Sequence, residues 1–204
     1  LPFSFLGNLK TMSDHLMTTY ARLPVTFTRG EGSWLWDEND NKYLDALTGI
    51  AVCGLGHANP AIARAISDQA STLVHTSNLY GIANQTLLGD KLCELSGMDN
   101  VFFANSGAEA NEAAIKLARL YGHRKGIEKP TIAVMENSFH GRTLATLSAT
   151  GNRKVHAGFE PLVSGFARFP FGDIEALQHG TKNKDIVAVM MEPVQGESGI
   201  RIPP

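Results

Sequence analysis

The chain has 204 residues, 43% of them hydrophobic, and its formal net charge is −2 at pH 7. A chain of this length and composition can bury a hydrophobic core and form one or two domains. Basic and acidic residues are interspersed, so the charge pattern argues against nucleic acid or an anionic membrane as a partner. No apolar run approaches the roughly 20 residues of a membrane span. The two cysteines form no disulfide framework and no metal-ligand spacing, which predicts a reducing, cytoplasmic setting.

The first hundred residues predict helices around a β-meander. Apolar residues at helical spacing favour a helix from about Phe5 to Arg22. Turn residues separate three short extended segments at Val25–Thr28, Ser33–Asp37 and Lys42–Leu44. A proline at a first helical position predicts a helix from Pro60 to about Leu73. Another helix fits Asn84 to Leu95, before Gly97.

From Asn100 onward, strands and helices alternate. The predicted strands are Val101–Ala104, Thr131–Glu136, Gly165–Phe169 and Ile186–Glu192. The predicted helices are Gly107–Tyr121, Arg142–Ser148 and Asp173–Gln178. Alternation of apolar strands with helices predicts an α/β domain around a mostly parallel sheet. In such folds, ligands bind at the carboxyl ends of the strands.

The run Asn105–Glu112 lies where a predicted strand ends and an alanine-rich helix begins. Free N–H groups at a helix N-terminus favour a phosphate, and glycine at position 107 allows an anion close to the backbone. The same run has a second interpretation, because Ser106 and Glu109 have the spacing of a capping box that needs no ligand. The run alone leaves both interpretations open.

Polar residues follow three of the predicted strands. The segments are Asn105-Ser106-Gly107, Asn137 to Arg142, and Glu192 to Glu197. If the strands are parallel, these segments meet at one edge of the sheet. An anion site, an aromatic residue with an arginine, and two glutamates would then lie close together, which favours the phosphate interpretation.

These motifs resemble the class III, pyridoxal-phosphate-dependent aminotransferases of fold type I, and within that class the acetylornithine aminotransferases. The resemblance covers nearly the whole chain. Its motifs occur in the family's order at Trp36–Asp45, Gly49–His57, His75–Asn78, Asn105–Glu112, Phe139–Arg142 and Glu192–Glu197. It implies that residues 1–50 belong to the small domain, as a helix and β-meander. Residues 51–204 would then be the first, incomplete part of the large cofactor-binding α/β domain.

The resemblance assigns a cofactor contact to six residues. Ser106, Gly107 and Ala108 would hold the phosphate of pyridoxal 5′-phosphate, and Phe139 would stack on its ring. Glu192 would lie close to the cofactor and orient its neighbours. His140 would be a neighbour of the cofactor whose ring is satisfied by hydrogen bonds, and we do not expect it to act as a base.

Three further residues are assigned to the substrate. Arg142 would bind the substrate α-carboxylate with two parallel hydrogen bonds, where an arbitrary arginine would more often form a surface salt bridge. Glu197 would manage substrate charge, or be a solvated loop carboxylate. Tyr80 would line the pocket, or be a half-buried aromatic residue at a helix start. Two departures from the family weaken detailed assignments, namely Ser198 after Glu197, and Trp34 where ornithine aminotransferases carry a tyrosine.

The resemblance also indicates what this sequence lacks. The Schiff-base lysine of the family, and the acid that pairs with the pyridinium nitrogen, have no match among these residues. We therefore expect the N-terminal half of a homodimeric enzyme, inactive alone, that moves an amino group from N-acetylornithine to 2-oxoglutarate in arginine biosynthesis. Glutamate would be the amino product, and no metal is expected. The alternative donors are ornithine, succinylornithine, 4-aminobutyrate and succinyldiaminopimelate. A non-catalytic binding fragment is the alternative from another class.

Overall fold

The computed structural model describes residues 15–197 and 199–204. Its strands are β1 Phe27–Glu31, β2 Trp34–Asp37, β3 Lys42–Leu44, β4 Thr131–Met135, β5 Phe166–Phe169 and β6 Ile186–Met190. Its helices are α1 Thr48–Ala51, α2 Pro60–Thr72, α3 Ala83–Ser96, α4 Gly107–Arg124, α5 Leu144–Ala149 and α6 Ile174–Gly180. A short 3₁₀ helix occupies Arg153–Val155.

The chain divides into two compact units, one up to Ala83 and the other from Asn84 to Pro204. In the first unit, β1, β2 and β3 form an antiparallel sheet in sequence order. Asp37 closes its second turn, because the carboxylate accepts hydrogen bonds from the backbone N–H of Asn39 and Asn41 and from the Tyr43 hydroxyl. The division lies further along the chain than the domain boundary that we predicted at residue 50.

The second unit is built on a parallel sheet in the order β5-β4-β6. The central strand β4 is flanked on both sides, and its residues from 132 to 135 are all buried. Helix α4 packs on this sheet. The core cluster consists of Ile115, Ile132, Val134 and Ala149. Because the strands are parallel, the segments that follow β4 and β6 leave the sheet at the same edge.

Local sequence explains where the helices begin. Asn59 caps α2 by accepting hydrogen bonds from the backbone N–H of Ala61 and Ile62, ahead of Pro60 at the first helical position. Ser106 caps α4 in extended conformation, and its Oγ accepts from the N–H of Glu109. These caps confirm both predicted helix starts.

Two predicted elements are wrong where the structure describes them. Val101–Ala104 is not a strand, because a strand needs a hydrogen-bonded neighbour and the described β5-β4-β6 sheet does not include this segment. Residues 15–22 contain turns and bends rather than helix. Their apolar side chains are exposed, so the packing that stabilises most protein helices is missing. The rest of that predicted helix lies outside the described residues.

The remaining predicted helices and strands are confirmed, with ends that shift by up to three residues. Among residues 15–197 and 199–204, no helix combines the length and apolar character needed to cross a membrane.

Candidate active site

The N-terminus of α4 has open space in front of its backbone. A Cβ atom built on Gly107 would meet no other atom within 4 Å, so this glycine is not required by packing. The serine and glutamate of the run both act as caps, since Ser106 Oγ accepts from Glu109 N–H and the Glu109 carboxylate accepts from Asn105 N–H at 2.6 Å. The carboxylate thus bonds one residue before the position that a capping box uses. Capping occupies the Ser106 oxygen as an acceptor and leaves its hydroxyl proton available to donate.

The loop after β4 carries the predicted aromatic residue and arginine. Phe139 is 38% exposed, so one part of its ring remains open. The guanidinium carbon of Arg142 lies 5.7 Å from the centroid of that ring, which is within the range of a cation–π contact. The two residues therefore lie together, as the sequence predicted.

A hydrogen bond joins this loop to the segment after β6. The backbone N–H of Phe139 donates to Glu192 Oε2 at 3.2 Å. Partial burial raises the pKa of Glu192, the Phe139 hydrogen bond opposes that rise, and the nearby charge of Glu197 adds to it. The two glutamates and the aromatic residue thus meet at the carboxyl edge of the sheet.

The loop after β4 also meets the N-terminal turn of α4. Gly141 has φ +135°, and a Cβ atom built on it would lie 2.9 Å from the Cβ of Ala108. Residue 141 thus approaches the first turn of α4 closely, which only glycine permits. The loop after β4 therefore contacts both the segment after β6, at Glu192, and the first turn of α4, at Ala108.

Two buried polar atoms in this region have no hydrogen-bond partner among the described residues. They are Nε2 of His140 and Oε1 of Gln195. The backbone N–H of His140 donates to Thr150 Oγ1, and burial lowers the pKa of its imidazole, which favours the neutral ring. We expected this histidine to be satisfied by hydrogen bonds, and the described residues bond to its backbone but not to Nε2. An unpartnered buried polar atom is costly, which points to a further group at this position.

Tyr80 and Glu197 are the two other residues that the sequence assigned to the substrate. Tyr80 lies in the first unit, is 70% exposed, and donates its backbone N–H to Ser77. Glu197 is exposed, on the segment after Glu192.

Sequence reasoning missed three residues that hold the site together. Asn111 and Glu112 on α4 bond to His140 and Thr143 of the loop after β4, and Glu112 also bonds to Thr146 of α5. Gln195 Nε2 donates to the carbonyl of Glu136, directly after β4. The sequence signal for two of them was the polar pair Asn111-Glu112, which interrupts an alanine-rich helix. Its partners lie 29 to 34 residues away, and periodicity cannot identify them.

Comparison with known proteins identifies the family. The family profile described as aminotransferase class III matches residues 17–204. The chain is 62% identical over 191 residues to the acetylornithine aminotransferase of Nitrosomonas europaea, which covers 93% of this chain and 49% of that protein. The chain therefore spans about half the length of the curated relatives it matches.

Comparison with solved structures supports the same family assignment. An ornithine aminotransferase from Toxoplasma gondii, described with partial occupancy of PLP at its active site, is 31% identical and superposes with a TM-score of 0.89, over 93% of this chain and 45% of that one. The acetylornithine aminotransferase of Elizabethkingia anophelis is 35% identical, with a TM-score of 0.77 over 93% of this chain and 44% of that one. This chain belongs to the class III aminotransferases, a pyridoxal-phosphate-dependent family of fold type I.

Proposed function

We propose that the protein carrying this chain at full length transfers an amino group from N-acetylornithine to 2-oxoglutarate, forming glutamate. The relatives named acetylornithine aminotransferase support the choice of donor. The observation that carries the proposal is the hydrogen bond from Phe139 N–H to Glu192, because it joins two assigned cofactor residues from different strand ends. Donors such as ornithine, succinylornithine, 4-aminobutyrate and succinyldiaminopimelate are the alternatives.

The residues present fit the cofactor of the family. The open space at Gly107, the free N–H groups of an 18-residue helix and the Ser106 hydroxyl suit a phosphate. The half-open ring of Phe139 suits a flat pyridine ring. The unpartnered Nε2 of His140 is consistent with a polar group beyond the described residues. When bound, pyridoxal phosphate supplies an electron sink for bonds at the substrate carbon that carries the transferred amine.

In the mechanism that we infer, the residues of this chain bind and orient the cofactor and the substrate. Ser106, Gly107 and Ala108 would hold the phosphate of the cofactor, and Phe139 would pack against its ring. Glu192 holds the Phe139 backbone in place through its hydrogen bond. Burial lowers the pKa of His140, so its neutral imidazole would add no positive charge to the site. These contacts pre-organise the site, so that orientation is established before a substrate arrives.

Arg142 is the residue that we assign to the substrate α-carboxylate. Both amino donor and 2-oxoglutarate carry that group, and the planar guanidinium matches it with two charge-assisted hydrogen bonds. Its position beside the Phe139 ring would hold the carboxylate next to the cofactor. We further propose that Glu197 and Tyr80 contribute to the pocket around the distal part of the substrate.

The proposal also covers the location, the assembly and the domains of the whole protein. Two unpaired cysteines suit the cytoplasm. Large apolar side chains that are more than two-thirds exposed suit a homodimer, since such surface is usually covered. Examples are Leu55, Val74, Leu79 and Phe102. We retain residues 1–50 as small-domain and 51–204 as large-domain sequence.

Donor preference tests the proposed function. The full-length holoenzyme should be assayed with N-acetylornithine, ornithine and 4-aminobutyrate at saturating 2-oxoglutarate. We expect kcat/KM for N-acetylornithine to exceed the others by about tenfold or more, which corresponds to roughly 1.4 kcal/mol of transition-state binding. A higher kcat/KM for ornithine or 4-aminobutyrate would assign the enzyme to that donor instead.

A further inference from the structure

Two consecutive residues of α4 form hydrogen bonds on both sides of Arg142, one to a backbone carbonyl and one to a side-chain hydroxyl. Asn111 Nδ2 donates to the carbonyl of His140 at 2.8 Å. The Glu112 carboxylate accepts a hydrogen bond from the Thr143 hydroxyl, one residue after Arg142. The segment that carries Arg142 is thus attached to α4 at both ends.

The same carboxylate also supports the start of α5. Glu112 Oε1 accepts from the backbone N–H of Thr146 at 3.3 Å, and Thr146 is fully buried. Thr146 Oγ1 in turn accepts from the N–H of Thr143 at 3.1 Å. Glu112 therefore fixes Thr143 directly and through Thr146, with charge-assisted hydrogen bonds that are stronger than neutral ones.

Close packing fixes the remaining residue of the segment. A Cβ atom on Gly141 would lie 2.6 Å from Thr146 Oγ1 as well as 2.9 Å from Ala108 Cβ. Any displacement of the Arg142 segment toward α4 is therefore blocked by contact, and displacement away from it breaks the bonds to Asn111 and Glu112.

The Arg142 side chain itself is exposed. A long, exposed side chain has many rotamers, and holding it in one orientation costs conformational entropy. The direction of its Cα–Cβ bond, which the backbone sets, limits the region that the guanidinium can reach, and that region includes the face of the Phe139 ring. Groups that hold this backbone therefore control where the guanidinium can bind a carboxylate.

We propose that Asn111 and Glu112 are positioning residues for substrate recognition, which hold the Arg142 backbone so that its guanidinium binds the substrate carboxylate. The inference rests on the proposed function, in which Arg142 is that carboxylate's partner. Asn111 acts through the His140 carbonyl, and Glu112 acts through the Thr143 hydroxyl and the Thr146 N–H. Neither residue binds substrate itself.

A double-mutant cycle in the full-length holoenzyme tests this proposal. The variants are Glu112→Ala, Arg142→Ala and the pair together, with Glu128→Ala as a control, because Glu128 is exposed and precedes β4 at the opposite end of that strand. The readouts are KM for glutamate and 2-oxoglutarate, the dissociation constant of glutarate, a non-reacting dicarboxylate, and the dissociation constant of the cofactor.

We expect Glu112→Ala to weaken glutarate binding and raise both KM values about tenfold or more, with cofactor affinity within about threefold of the parent. In the Arg142→Ala background, Glu112→Ala should weaken glutarate binding and raise the two KM values by no more than about twofold. A residue that acts through Arg142 has nothing left to position there. Glu128→Ala should behave as the parent.

Substitutions of Thr143 provide a second test if Glu112→Ala does not fold. Thr143→Ser keeps the hydroxyl that Glu112 accepts and should retain glutarate affinity, while Thr143→Val should lose it. Hydrogen exchange in the cofactor-free protein gives a readout without activity, because residues 139–146 should exchange faster in Thr143→Val than in Thr143→Ser.

The outcomes separate the two proposals. If Arg142→Ala leaves glutarate affinity unchanged, the assignment of Arg142 is wrong and the positioning role is overturned with it. If Arg142→Ala weakens glutarate while Glu112→Ala and Thr143→Val do not, only the positioning role is overturned. Fully additive losses in the double variant would also overturn it.

Discussion

At the scale of single residues, Arg142 is exposed, and its guanidinium carbon lies 5.7 Å from the centroid of the Phe139 ring. Exposure suits a group that must meet a charged ligand arriving from water. It also means that the fold does not depend on this side chain, so substitutions should affect recognition without unfolding the protein.

Arg142→Lys should therefore keep the fold and the cofactor while lowering kcat/KM for both substrates. Lysine keeps the charge but lacks the planar fork that makes two parallel hydrogen bonds. We expect a loss of about 30- to 1,000-fold, which corresponds to about 2 to 4 kcal/mol. Steady-state kinetics of the full-length enzyme measure it. Arg124→Lys, an exposed arginine at the end of α4, is the control. Near-normal kinetics of Arg142→Lys would mean that the carboxylate is held elsewhere.

Glu192 allows a prediction about pH. Partial burial raises the pKa of its carboxyl in the folded state, with Glu197 adding to the rise. The folded protein then binds this proton more tightly than the unfolded chain does, so the contribution of Glu192 to stability falls as pH rises through its pKa. Glu192→Gln removes the charge and keeps an acceptor for Phe139.

We therefore expect Glu192→Gln to raise the melting temperature of the cofactor-free, full-length protein at pH 7. The gain should shrink toward pH 4, where the native carboxyl is protonated. Thermal denaturation at both pH values measures the difference, and Glu128→Gln serves as the exposed control. A gain that is equal at both pH values, or absent at pH 7, would contradict a raised pKa.

At the scale of elements, the N-terminus of α4 and the two segments after β4 and β6 define the site. Gly107 is the first residue of that helix, and nothing within 4 Å would obstruct a side chain there. The open space is therefore available to an anion rather than filled by protein, and a side chain would compete with the anion for it.

Gly107→Val should weaken cofactor binding in the full-length enzyme by blocking backbone approach, with little effect on the fold because the site is open. Ala110→Val is the matched control, since residue 110 is exposed on the same helix one turn later. Titration of the cofactor-free protein with pyridoxal phosphate, followed by absorbance, measures the dissociation constant. Equal affinities of the two variants would remove the assignment of Gly107.

The elements also explain what a sequence can predict. The starts of α2 and α4 were predictable because Asn59-Pro60 and Ser106 act locally. The meeting of Phe139 with Glu192 was predictable from one rule about parallel strands. The absence of a strand at Val101–Ala104 was not predictable, because strand pairing depends on a neighbour that is distant in sequence. The bonds of Asn111 and Glu112 were not either, because they join a helix to a loop about 30 residues away.

At the scale of the whole molecule, the positions of the lysines bear on whether this chain can bond covalently to the cofactor. Three assigned cofactor residues, Phe139, His140 and Glu192, follow the carboxyl ends of β4 and β6. By contrast, Lys129 precedes β4, and Lys182 and Lys184 precede β6. Five strand residues span roughly 16 Å, which is far beyond the reach of a lysine side chain. These lysines are therefore badly placed to bond to a cofactor at the opposite edge.

The last prediction follows from that geometry and from the absence of the family's lysine motif in these residues. The 204-residue chain, expressed alone with pyridoxal phosphate, should show no aminotransferase activity. Borohydride reduction followed by peptide mass analysis should find no single pyridoxyl-lysine, only scattered substoichiometric labelling. The full-length protein treated in the same way is the control, and it should carry one stoichiometric label at a lysine outside these residues. A stoichiometric label on one lysine of this chain would show that the chain supplies its own covalent anchor and would revise the assignment of the site.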